Sequence, residues 1–247
     1  MSDLTESEAN GLTSNSEVKL NGLIILILLM VSGLCQAQYS NHQLYQAYLT
    51  RDMDVWKQHI ASTNWDSITD GEKKQLLNYE YGFTAYSLSR NMADAMDNLM
   101  QYEAHLQDME GKMDEAERCA YMAGLYSYKL SVDQSKVLKY GQQIYQYVNQ
   151  AIKLSPDNPL VLSMQGNIEF YGPFGSKRQA LAAYRKSEAT YQQMSEKPWN
   201  ILAVQMTIVQ CLDKMGKRTE AIEQCQQYLQ QEPDCVIFQQ LLEDMRK

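Results

Sequence analysis

Proline and glycine are scarce in this chain, at five and twelve of 247 residues. That leaves too few turn-formers for a sandwich of many short strands and favours long helices. Basic side chains are also in deficit, 22 against 30 acidic, for a formal charge of −8. No Lys/Arg-rich run relieves the deficit, so a phosphate backbone would find few counter-charges and nucleic acid is excluded as a partner. The three histidines, His42, His59 and His105, are scattered. None has a second ligand at i+3 or i+4 to hold a metal. No CxxC occurs, which removes zinc knuckles and thioredoxin-type redox sites. GxSxG, P-loop, HExxH and Gly-rich dinucleotide turns are missing as well. The carboxylate pair Asp94 and Asp97 falls on a predicted outer helix face, where solvated charge is the default. These absences predict a protein that is not an enzyme and carries no cofactor and no metal.

Long apolar runs are missing too, with one exception: residues 22–35, GLIILILLMVSGLC. At roughly 14 residues this block falls short of the ~20 that span a bilayer as a helix. Lys19 precedes it, and Cys35 and Ala37 follow at the −3 and −1 spacing of a signal-peptidase site. The block therefore reads as a secretory leader cut after Ala37, placing the mature chain in the periplasm or outside the cell, with no stable membrane span. An uncleaved anchor is the alternative. A lipoprotein anchored through Cys35 is disfavoured because Leu34 stands where Gly or Ala is usual. The acidic stretch before the block suits a leader poorly, and Val18, followed by Lys19, is the expected true start. Two segments result, a leader over 1–37 and a helical domain over 38–247. Losing Asp3, Glu6, Glu8, Glu17 and Lys19 leaves 26 acidic and 21 basic side chains.

Four cysteines remain: Cys119, Cys211, Cys225 and Cys235. An exported protein could pair them. Cys211 lies five residues before Gly216 and Cys225 nine after it, at different heights of a hairpin bent at that glycine. That geometry favours four small buried side chains.

What the chain does contain is a recurring helical pattern. In Leu202–Pro233, Ala221, Cys225 and Tyr228 step along one helix at i, i+4 and i+7, Pro233 stops it, and Gly216 makes the bend before it. The spacing returns as Ala95, Leu99, Tyr102 and as Ala180, Tyr184, Ser187, and in altered form as Ile144, Val148, Ala151 before Pro156. Gly82, Gly124 and Gly166 sit mid-helix where two helices would pack closely. Residues 41–62 predict a short opening hairpin with Asp52 as N-cap, Ser176 predicts another cap, and 235–246 a closing helix with Ile237, Leu241 and Leu242 inward.

This order of small, bulky, small or aromatic residue and terminal proline resembles the tetratricopeptide (TPR) repeat family, most closely over 145–233. The resemblance implies an all-α, right-handed solenoid of about five hairpins with a C-terminal capping helix, as an exported bacterial TPR-like protein. The first helices of such hairpins line a concave groove. Carrying the family's groove positions onto this chain selects Tyr79, Phe83 and Tyr86; Tyr121, Leu125 and Tyr128; Asn167, Phe170 and Tyr171; and Met206, Gln210 and Asp213. Seven of these twelve are Tyr or Phe, stiff apolar faces that suit an extended peptide or a flat ligand. A clamp for a C-terminal carboxylate is not expected, since only Asn167, Lys129 and Lys214 could serve it. The expected role is a non-catalytic scaffold of the cell envelope gripping a protein or peptide partner. The alternative is an accessory solute-binding subunit of a periplasmic transport system, because GPFGS (172–176) resembles a turn of such TPR subunits. No oligomeric state follows from the sequence.

Overall fold

The computed structural model describes residues 39–247; the expected leader, Cys35, the expected cut after Ala37 and the expected start at Val18 lie outside the described residues. Among the described residues there are eleven α-helices and no strand. They are α1 (Asn41–Thr50), α2 (Met53–Ser62), α3 (Asp70–Ser89), α4 (Ala95–Asp108), α5 (Glu115–Val132) and α6 (Val137–Leu154). The rest are α7 (Pro159–Tyr171), α8 (Lys177–Gln192), α9 (Asn200–Lys214), α10 (Arg218–Gln231) and α11 (Val236–Arg246). None of them is long and apolar enough to cross a membrane.

Local chemistry sets the helix ends. Ser40 with Gln43 and Thr69 with Glu72 form capping boxes at α1 and α3. Asn158 caps α7, whose first residue is Pro159, and Ser176 caps α8. Asp52 stands at the predicted N-cap of α2 but makes no side-chain cap bond. Gly216 takes φ 77°, and the N–H groups of Gly216 and Lys217 close on the carbonyls of Asp213 and Leu212, ending α9 as the sequence predicts.

The helices pack in chain order as pairs, α1/α2 through α9/α10, with α11 last, and each pair lies against the next. The repeated stripe is what they bury. Ala95, Leu99 and Tyr102 of α4, Ile144, Val148 and Ala151 of α6, Ala180, Tyr184 and Ser187 of α8, and Ala221, Cys225 and Tyr228 of α10 are all buried. In α11, Ile237 and Leu242 point inward and Leu241 is half-buried, while Glu243, Asp244 and Arg246 face solvent. Phe238, fully buried, carries more of that contact than the sequence suggests. The four cysteines are free and buried. Burial pushes the thiol of Cys119 up to about 12 and that of Cys225 to about 11.

One feature departs from an open solenoid: the ends of the array meet. The Tyr45 hydroxyl on α1 donates to Glu232 at 2.7 Å, and Arg51 Nη1 donates to Gln240 of α11 at 3.2 Å. Leu49 of α1 belongs to the apolar core of α8–α11, and Trp199, just before α9, belongs to that of α1–α3. Asn78 and Asn200 exchange two side-chain amide bonds, each 2.9 Å. Trp199 lies within 5.1 Å (ring centroids) of both Tyr48 and Trp56. A Cβ on Gly82 would come within 2.7 Å of both the Trp199 and the Trp56 rings, so glycine is the residue that lets them approach α3.

Candidate functional site

Where the ends meet, the inner faces of α3, α5, α7 and α9 leave a half-open cleft of about 440 Å³. Its walls carry Tyr48, Tyr81, Tyr86, Tyr128, Tyr171, Tyr184 and Trp199, with Gly82, Ala85, Ala203 and Val204 making room between the rings. The Tyr81 and Tyr128 rings stack at 5.4 Å, and the Tyr128 hydroxyl donates to the Tyr81 carbonyl at 3.1 Å. The Tyr184 hydroxyl donates to Asn167 Oδ1 at 2.8 Å. Burial raises the phenols of Tyr48, Tyr81, Tyr128 and Tyr184 above their ordinary value, so these hydroxyls stay protonated and neutral. The polar lining is Arg51, Ser89, Ser163, Asn167, Asn200 and Thr207; among the described residues no carboxylate faces the cleft. Trp199, 5% exposed, holds an indole Nε1–H with no hydrogen-bond partner among the described residues.

Of the twelve groove residues expected from the sequence, Tyr86, Tyr128, Asn167, Tyr171 and Met206 line this cleft together. Phe170, Gln210 and Asp213 surround a smaller hollow of about 280 Å³, which also shares Tyr171, between α7, α9 and α11. Tyr79 borders a third hollow of about 230 Å³ but is itself buried, its ring 5.1 Å from that of Trp56 and its phenol pushed up to about 12 by burial. Phe83, Tyr121 and Leu125 are a correction to the open-groove expectation, being 2%, 4% and 1% exposed within the core. The reason is packing between neighbouring hairpins: Phe83 joins the apolar core of α1–α3, and Tyr121 and Leu125 join that of α3–α7. Tyr121 packs edge-on against Tyr81 at 5.5 Å, and its hydroxyl donates to Asn78 at 3.1 Å.

The sequence reading missed Arg51, Tyr48, Tyr81 and Trp199. The first two lie at the end of α1, which looks like an ordinary hairpin joint. Trp199 follows Pro198 in what reads as a linker, and a bulky indole at a helix entrance was the available signal. A second polar cluster also went unread. His105 stacks on Trp65 at 3.8 Å, and its Nδ1 lies 2.7 Å from the buried Glu80. The same Glu80 oxygen accepts from Gln101 at 2.8 Å. It lies outside the cleft lining and braces α3 against α4. Among the described residues, no three His, Cys, Asp or Glu side chains gather where they could hold a metal.

No family model matches the chain, and no curated protein matches it. Among solved structures, the HusA haemophore from Porphyromonas gingivalis is similar at 20% sequence identity and a TM-score of 0.43, with 69% of this chain and 84% of that chain covered.

Proposed function

We propose that this chain is a non-catalytic binding protein whose ligand is a compact, flat, largely apolar solute held in the aromatic cleft. The observation that carries the reading is the cleft itself. Its volume of about 440 Å³ falls in the range of about 300–1,000 Å³ typical of small-molecule sites, and its walls are mostly rings with a few convergent hydroxyls and amides. This favours the solute-binding alternative over a peptide scaffold. An extended peptide needs a continuous trough, and Phe83, Tyr121 and Leu125, which would have floored it, are packed away.

A protein partner is the second reading, and it rests on the outer rim of the cleft. Tyr171 and Phe174, at the end of α7 and in the turn after it, are 66% and 92% exposed. Rings this bare on a surface suit docking. Loss of partner capture on Phe174→Ala, with ligand binding in the cleft intact, would support it.

The paired helices are read as TPR-like repeats and the N-terminal segment as an export leader, so the solute would be met in the periplasm or outside the cell. N-terminal sequencing of the exported protein should begin at Gln38; a chain still carrying residues 22–35 would contradict this.

The cleft reading is tested by titrating the protein with a neutral planar dye such as Nile red while following tryptophan emission. Saturable 1:1 binding with quenching is expected, because Trp199 forms part of the wall. Ala85→Phe, which fills the cleft from α3, should abolish it. Binding unchanged in that variant would refute the site.

A further inference from the structure

We infer that the solute is an anion, a flat ring system bearing a carboxylate, whose charged group is received by Arg51. The inference rests on the cleft being the binding site. The chain has more acidic than basic side chains, 30 against 22, yet among the described residues the cleft lining contains no Asp or Glu and a single cation, Arg51. An apolar site that excludes every carboxylate while keeping one guanidinium is tuned in sign.

Arg51 is also uncommitted. It joins no salt bridge among the described residues, and the neutral Gln240 takes one of its Nη1 protons. A guanidinium has five N–H donors in a planar fork that matches the two oxygens of a carboxylate. Its backbone adds to the case. Arg51 ends α1 at φ 60°, ψ 25°, the left-handed region where glycine is cheapest and a long side chain is tolerated at a cost. The fold nonetheless keeps an arginine there, at the cleft wall.

With the neighbouring phenols protonated, the lining offers donors and rings but no negative charge, the complement of an aromatic acid.

Paired probes sharing one ring system test this, namely 1-pyrenebutyrate and the uncharged 1-pyrenebutanol, titrated by fluorescence at fixed ionic strength. The butyrate should bind at least tenfold tighter, and Arg51→Gln should erase that preference while leaving the butanol affinity within twofold. Equal affinities in the unmodified protein would overturn the anion inference and leave the cleft reading standing. A preference that survives Arg51→Gln would overturn the assignment of Arg51. Saturable binding of neither probe would sink the cleft reading and this inference with it.

Discussion

Replacing Trp199 by alanine attacks the point where the two ends of the helical array are joined. The indole is 5% exposed and packs on Tyr48, Trp56 and the bare backbone of Gly82. A buried tryptophan covers about 150–250 Å². At about 25 cal/mol per Å² the gross loss is about 4–6 kcal/mol, an upper figure because the unfolded chain already hides part of that area. An opposite contribution comes from the indole N–H, which is buried without a partner; deleting it returns about 1–3 kcal/mol. The net destabilisation is then about 1–5 kcal/mol, centred near 3. Trp199→Phe separates the two effects, since it keeps most of the apolar contact and discards the orphaned donor. It should lie within about 1 kcal/mol of the unmodified protein. Urea unfolding followed by far-ultraviolet circular dichroism measures both. Hydrogen exchange gives the location: in Trp199→Ala, α1 and α2 should lose protection before α5 to α8, because Trp199 belongs to the apolar core of α1–α3. A loss below about 1 kcal/mol for Trp199→Ala, or a uniform loss of protection, would refute the view that this residue holds the ends together.

Three further outcomes are expected. His105→Leu leaves the buried Glu80 with Gln101 alone and should cost about 3 kcal/mol in thermal or urea unfolding, most of it recovered when Glu80→Gln is added. Tyr128→Ala removes a stacked ring and a hydrogen bond to Tyr81 and should cost about 3 kcal/mol, whereas Tyr86→Ala should cost under about 1 kcal/mol while weakening ligand binding; equal losses would contradict the packing described. Stability should fall in alkali: the phenols of Tyr102, Tyr121 and Tyr128 and the thiols of Cys119 and Cys225 have folded pKa values raised above their ordinary 10.0 and 9.0 by burial. The stability linked to them is whole below those ordinary values and is lost as pH climbs through them toward the folded values. Melting temperatures that stay level from pH 8 to 11 would contradict it.

What was legible in the sequence was whatever depends on neighbours in the chain. The stripe of Ala221, Cys225 and Tyr228 and its copies is a matter of 3.6-residue spacing, and each copy is buried. Gly216 and the cap at Ser176 are single-residue signals with direct backbone consequences. The contacts that shape the cleft are of another kind. Asn78 and Asn200 are 122 residues apart, and Tyr45 and Glu232 are 187 apart. No local pattern encodes a pairing over such separations. Groove positions carried over from a regular repeat therefore identified the correct helices but treated Tyr121 and Tyr128 alike, although one is core and the other lines a cleft wall.

Closure also changes what the inner surface can recognise. Rings spread along an open curve would each contribute separate apolar contacts, which suits a long partner. Once the ends meet, Trp56, Tyr79 and Trp199 pack on one another. Between neighbouring hairpins, the rings around Tyr81 do the same. Most of the aromatic area is thereby spent on the fold itself. The part left for a ligand is confined to the cleft, where the short side chains of Ala85 and Ala203 leave space between the rings. Affinity from such a site depends less on total area than on how little must be ordered on binding, and a wall already locked by stacked rings has little left to order. The same packing that removes Phe83 and Tyr121 from contact with a partner thus makes the remaining cleft rigid and selective for shape, and leaves Arg51 as its means of selecting charge.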